Sequence, residues 1–183
     1  FAFDINPNIG FAEAKGWWYW GIDISPRYRF NDKFSLIYRN NFYNEYQDLG
    51  RVDQVGDDIV FAKRDNQTLE TSLEGKYSLT AKMNFGLKLR NYWSFSENKS
   101  YHKLLENGYV EDYVYTGNAN QNLNLWNFDL SYSWWFAPGS QMSVLYRNAS
   151  AIFENEIDKD VIYNNKRVFN NDQLNHTFSI SLR

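Results

Sequence analysis

Asn122-Leu123-Asn124-Leu125-Trp126-Asn127-Phe128-Asp129-Leu130-Ser131-Tyr132-Ser133-Trp134-Trp135-Phe136, then Ala137-Pro138-Gly139-Ser140, then Gln141-Met142-Ser143-Val144-Leu145-Tyr146-Arg147-Asn148 is the stretch that decides the fold. In its first arm Trp126, Phe128, Leu130, Tyr132, Trp134 and Phe136 take alternate positions. Asn127, Asp129, Ser131 and Ser133 fill the gaps, and Met142, Val144 and Tyr146 repeat the pattern in the second arm. A period of two puts one residue set on each side of an extended strand, and Pro138-Gly139 is a turn dipeptide. The stretch predicts an amphipathic hairpin whose apolar face is rich in aromatic rings.

Working outward, the same alternation recurs. Phe1, Phe3, Ile5, Pro7 and Ile9 share a phase, as do Trp18, Trp20, Ile22, Ile24, Pro26, Tyr28 and Phe30. Phe34, Leu36, Tyr38 and Phe42 continue it after Asn31-Asp32-Lys33. Leu69, Leu73 and Tyr77 face Met83, Phe85, Leu87, Leu89 and Trp93 across a second tight connection, and Phe178, Ile180 and Leu182 form a final strand. About eight strands in up-and-down order are expected, with tight connections at 31–33, 80–82 and 137–140. Between them lie a small connector at 10–16, a polar loop at about 47–58, a connection at about 95–121 and a loop at about 154–172. No helical period is sustained. Short turns at one end and long loops at the other are the habit of outer-membrane barrels.

Composition narrows the class. The 183 residues are one domain's worth of chain, expected as a single barrel region over 1–183. With 19 basic against 22 acidic residues there is no electrostatic footprint for nucleic acid. Mean hydropathy is -0.64 and no apolar run is long enough for a transmembrane helix. A transmembrane strand needs only about 9–11 alternating residues and leaves half of them polar. The absence of cysteine removes disulfides and thiolate metal sites. A start at Phe1 without initiator Met, and an end at Arg183 without a terminal aromatic residue, lead to the expectation of a truncated or processed piece of a larger parent.

Alternation does not say which face points inward. A soluble barrel or sandwich buries the apolar face; a membrane barrel shows it to lipid. Two features favour lipid. The aromatic set is too bulky for the interior of a barrel of eight strands. The rings also gather at strand ends: Trp17 to Trp20, Trp93 and Trp126 toward the long loops, and Tyr28, Phe30, Phe34, Tyr77, Trp134, Trp135 and Phe136 beside the short turns. Ile22, Ile24, Leu73, Leu87, Leu89 and Leu130 lie between these girdles. The eight steps from Trp126 to Trp134 span about 20 Å in a tilted strand, close to the ~25 Å apolar band of such barrels.

The segment Phe128 to Ser140 resembles the W-x-F-x-P-G-S hairpin of the DUF5916 family. Phe61-Ala62-Lys63-Arg64-Asp65, Tyr77 and Leu89-Arg90-Asn91-Tyr92-Trp93-Ser94 are similar to further blocks of that family, a likeness covering roughly 59–183. The resemblance implies a protein of Bacteroidota in which a domain like carbohydrate-binding module family 9 precedes an outer-membrane barrel. This chain would then be the C-terminal strands of that larger barrel. No activity comes with the resemblance.

Chemistry is sparse. There is no phosphate loop, dinucleotide glycine pattern or nucleophile elbow, and no catalytic, cofactor or metal residue is assigned. His102 and His176 are far apart in sequence. Glu156, Asp158 and Asp160 are spaced as in a calcium loop but lack its glycine, and read as a solvated acidic loop. On the polar face, closing the 80–82 turn sets Glu74 opposite Lys88 and Glu70 diagonal to Arg90; Asp129 falls near Arg147. These six are the candidates for charges facing a barrel lumen, where they either plug it or line a water path. Tyr101, Tyr109, Tyr113 and Tyr115 are candidates for stacking on glycans from the loops. The expected protein is a non-enzymatic binding or scaffold component of a bacterial outer-membrane assembly, in contact with lipid and lipopolysaccharide and with other subunits or glycans as further partners. A passive or gated pore is the alternative, and a barrel-borne hydrolase ranks last.

Overall fold

The computed structural model describes residues 1–13, 16–170 and 174–183. It is an antiparallel sheet of β1 (Ala2–Ala12), β2 (Trp17–Arg29), β3 (Phe34–Val55), β4 (Asp58–Thr80), β5 (Met83–Leu104), β6 (Val110–Asp112), β7 (Gln121–Ala137), β8 (Ser140–Glu154) and β9 (Asn175–Leu182), with one helix, α1 (Val161–Phe169). Neighbours in sequence are neighbours in space, in the order β1-β2-β3-β4-β5-β7-β8-β9, with β6 set on the outer part of β5. β1 and β9 are the two edges and do not pair with each other, so the sheet stays open.

The tight turns sit where the sequence placed them, and each has a local cause. The Asn31 side chain accepts from the backbone N–H of Lys33 at 2.8 Å and of Phe34 at 2.9 Å, an Asx turn. Gly139 has φ 77°, a left-handed conformation that costs glycine little. The Thr80 hydroxyl accepts from Lys82 N–H at 3.2 Å.

Three expected loops are built differently. The polar stretch at 47–58 is mostly strand: β3 runs to Val55 and β4 starts at Asp58, turning on Gly56 with φ 61°. Register shifts fall between Glu45 and Asp48 and between Arg51 and Asp53, and Gln47 has φ 59°. A bulged ribbon held by backbone hydrogen bonds needs no apolar alternation, so the pattern that reveals half-buried strands misses it. In 95–121, β5 continues to Leu104 and hairpins onto β6, pairing His102 with Asp112.

The third expected loop, 154–172, holds α1. Asp160 caps it, its Oδ1 accepting from Ile162 N–H at 2.8 Å and Tyr163 N–H at 3.2 Å. Lys166 and Arg167 occupy the last turn, where cations suit the helix dipole. The helix is nine residues long, too short for its period to stand out. Residues 14–15 of the 10–16 connector and 171–173 at the end of the 154–172 loop lie outside the described residues. No described helix is long and apolar enough to cross a membrane.

Candidate functional site

Register fixes the membership of each face. On one face Met83, Trp134, Met142 and Leu182 form a row across β5, β7, β8 and β9. Above it stand Phe85, Tyr132, Val144 and Ile180, then Leu87, Leu130, Tyr146 and Phe178. The same face continues through Tyr77 and Leu73 on β4, Phe34, Leu36 and Tyr38 on β3, and Ile22, Ile24 and Tyr28 on β2 to Ile5 and Phe3 on β1. Among the described residues no second layer covers this zone: Phe85 is 38% exposed, Leu130 44% and Ile180 61%. Hydrophobic residues classed as buried among the described ones are only Val60, Ala62, Trp93, Phe95, Trp126 and Val168.

On β5 and β7 the exposed apolar zone ends toward the long loops, whereas on β2, β3 and β4 Ile22, Phe42 and Leu69 carry it one row further. One row above Tyr38, Leu73, Leu89 and Phe128 come Asn40, Thr71, Asn91 and Trp126 in register. Asn40 Nδ2 donates to Thr71 Oγ1 at 2.9 Å, and Asn91 Nδ2 donates to Asn124 Oδ1 at 3.0 Å. From the Trp134 row to the Trp126 row the exposed band is about 20 Å tall for a tilted strand.

The loop-side girdle differs from the sequence expectation at β5 and β7. Trp93 is 1% exposed and Trp126 9%. They lie beneath α1 and the segment before it, inside a polar network. Trp93 Nε1 donates to Asn122 Oδ1 and Trp126 Nε1 to Asn148 Oδ1, both at 2.9 Å. Asn124 Nδ2 donates to the Asn164 carbonyl at 2.7 Å, while Asn164 Nδ2 donates to the Asp158 and Asp160 carbonyls. The Phe169 ring meets Trp126 edge-on at 4.7 Å. Arg167 grips the Glu154 carboxylate, and Lys159 Nζ reaches Glu97 Oε2 at 2.6 Å. These contacts hold both carboxyls below the usual Glu range: Arg167 dominates for Glu154, Lys159 and then Lys99 for Glu97. Sequence reasoning missed the network, although Asn122 and Asn124 stand in the phase of Trp126 while Leu123 and Leu125 hold the polar phase.

The opposite face carries the charge candidates, and their pairs run sideways from strand to strand. Arg39 Nη1 meets Glu74 Oε1 at 2.8 Å, and Arg90 Nε meets Glu70 Oε1 at 2.9 Å. Lys88 stands in register between Glu74 and Asp129. Arg147 binds Asp129 with two parallel bonds, Nε to Oδ1 and Nη2 to Oδ2, each 2.7 Å. Asp4 pairs with Arg27 on the same face. Signs thus alternate from β3 to β8, and Gly86 leaves a shallow hollow bordered by Glu74, Lys88, Asp129 and Ser131.

The tyrosine candidates do not form one platform. Tyr101 and Tyr115 pack against each other at 4.7 Å, and Tyr115 donates its hydroxyl proton to Asp53 Oδ2 at 2.6 Å. That bond pushes the Tyr115 pKa up to about 12 and holds Asp53 below the usual carboxylate range. Tyr113 N–H donates to the Tyr101 carbonyl, and Tyr109 is exposed at the β5–β6 turn.

A side-chain set that the sequence did not reveal lies nearby. Ser100 Oγ is 2.9 Å from His102 Nε2, and His102 Nδ1 is 3.1 Å from Asp112 Oδ1. This is the order of a hydroxyl, base and orienting carboxylate. The Asp112 side chain, however, is 99% exposed, and a fully solvated carboxylate orients a base weakly. Ser100 and His102 are two apart on β5, and His102 faces Asp112 across β6, so strand register alone brings the three together. Among the described residues no group of three or more His, Cys, Asp or Glu side chains is arranged to hold a metal ion.

The family described as Domain of unknown function (DUF5916) matches residues 1–183, further toward the N-terminus than the blocks legible by eye. The chain belongs to this family. Neither the curated proteins nor the solved structures contain a match to it.

Proposed function

We propose that this DUF5916 chain forms part of the wall of a β-barrel in a bacterial outer membrane, with its apolar face to lipid and its charged face to the barrel interior. The observation that carries the reading is the division of one sheet into two opposed surfaces. One is an uncovered band of aromatic and aliphatic side chains, about 20 Å tall on β7, where it ends at the row of Asn91 and Trp126. The other is a set of laterally compensated ion pairs. Water solvates the first surface poorly, whereas hydrocarbon matches it.

The open edges extend this reading. In hydrocarbon, each unpaired backbone N–H or C=O costs several kcal/mol, so β1 and β9 need strand partners. Further strands of a larger barrel are the proposed partners, which makes this chain a wall segment.

Within that location we assign a binding or scaffold role in an outer-membrane assembly, with lipid and lipopolysaccharide against the wall and other subunits or glycans at the loop end. The second reading, a pore for small solutes, is favoured by one feature: the ion pairs run along the wall and leave their charges compensated without crossing the interior. Purification of the native protein from membranes tests the two. A stable complex with identified partners supports the scaffold; steady channels from the purified protein in planar bilayers support the pore. Recovery in the soluble fraction, with the band residues accessible to water, overturns the barrel reading itself.

A further inference from the structure

We infer that α1 is an interfacial anchor, seated on the outer side of the wall at the headgroup–acyl boundary of the lipid leaflet next to the long loops. The inference rests on the barrel reading above and adds a lipid contact outside the strands.

Three observations carry it. First, α1 lies on the apolar face: Asn164 bonds to Asn122 and Asn124, and Phe169 touches Trp126, all in the phase of the band residues. Second, its level is fixed by the same contacts. Phe169 reaches the Trp126 row, where the exposed band of β7 ends, and Asn164 sits above the Asn124 row. Third, α1 carries large apolar side chains around Lys166 on the side turned away from the sheet. Val168 and Asn164 are buried, whereas Ile162 is 66% exposed, Phe169 51% and Tyr163 48%. Ile162 and Lys166 follow helical spacing on that outer side beside Tyr163, while Phe169 reaches from Trp126 to the surface.

Together these explain the buried tryptophans. A barrel wall needs amphipathic rings at the edge of its band, and on β2 Trp18 remains exposed to serve there. On β5 and β7, Trp93 and Trp126, which lie in the rows of Ile22 and Ile24 rather than of Trp18, are roofed by α1 and its approach. The outward Ile162 and Tyr163, with the exposed half of Phe169, stand in their place. Lys166 among them can extend its amine to the phosphate level while its stem stays in the apolar zone.

The absence of native cysteine allows a direct test. Ile162→Cys and Tyr163→Cys, each labelled with a bimane fluorophore, are compared with Leu87→Cys in the mid-band, all in the full chain reconstituted into phosphatidylcholine vesicles. Lipids brominated near the headgroup, lipids brominated deep in the acyl chain, and aqueous iodide serve as quenchers. The expected result is strong quenching at both α1 sites by shallow bromines and at position 87 by deep ones. Quenching at position 87 as expected, with the α1 labels reached by iodide alone, overturns the anchor and leaves the barrel reading intact. Labels at α1 shielded from all three quenchers also overturn it, pointing to a covering protein. Failure of both bromines at position 87 removes the barrel reading and the anchor with it.

Discussion

Trp93 donates its indole N–H to the side-chain oxygen of Asn122 at 2.9 Å, and both residues are almost fully buried, at 1% and 2% exposure. Asn122 also donates to the Glu156 carbonyl at 3.1 Å, joining the sheet to the segment that leads into α1. Asn122→Ala leaves an indole donor in a dry site without an acceptor and frees that carbonyl. The expected cost is roughly 2–3 kcal/mol. Denaturant unfolding of the refolded protein in detergent measures it. Asn127→Ala, on the exposed polar phase, is expected to stay within about 0.5 kcal/mol and serves as the comparison.

The docking of α1 is expected to depend on pH. Glu154 and Glu97 have folded-state pKa values below their ordinary ones, set by Arg167 and by Lys159 with Lys99. Groups depressed in the folded state contribute stability that is complete above the unfolded value, about 4.3 for Glu, and is lost as pH falls through the folded value. Amide exchange in α1 should therefore hardly change from neutral pH to about 5, after correction for intrinsic rates. Below about 4 the helix should lose protection before the β5–β7 ladder does. Uniform loss across the sheet would contradict the assignment.

Gly139 tests the hairpin that decides the fold. Its φ of 77° is the reason for glycine, because a Cβ there would meet no atom within 4 Å. Gly139→Ala is expected to destabilise by about 1 kcal/mol through backbone strain alone, and Gly139→Asn by less, since Asn tolerates the left-handed region better. Equal stability of the Ala variant and the parent would show that the turn adopts another conformation.

How much could be read in advance divides along physical lines. Strand phase, tight turns and cross-strand charge partners follow from a period of two, which is why the Asp129–Arg147 and Glu70–Arg90 contacts were legible in the order of residues. The outer ribbons were not, because Arg51 and Gln54 face water and Asp53 is held by Tyr115 on a bulged hairpin that carries no apolar rhythm. α1 was hidden by its length, although Asp160 ahead of Val161 and Ile162 is a capping signal. The burial of Trp93 and Trp126 depends on that helix, so a girdle read strand by strand placed both against lipid. Asn122 and Asn124, polar in an apolar phase, were the available warning.

Ser100, His102 and Asp112 require a test of the non-enzymatic reading. The exposed Asp112 carboxylate and the origin of the set in strand register lead to the expectation that Ser100 is not an activated nucleophile. A fluorophosphonate probe should label the protein no more than it labels the Ser100→Ala variant. Labelling at Ser100 that disappears in His102→Ala would instead establish an acyl-transfer site at the loop end.

The central claim, lipid on one face and barrel interior on the other, is tested most directly at two adjacent residues of β7. Leu130 lies in the apolar row with Leu87 and Tyr146, while Ser131 lies on the charged face beside Gly86. Spin labels at Leu130→Cys and Ser131→Cys, in protein assembled in native outer membranes, report exposure to apolar oxygen and to a water-soluble nickel chelate. The account predicts that oxygen dominates at 130, and that at 131 oxygen accessibility falls well below that at 130. Equal oxygen exposure at the two positions, or nickel dominating at 130, would contradict it.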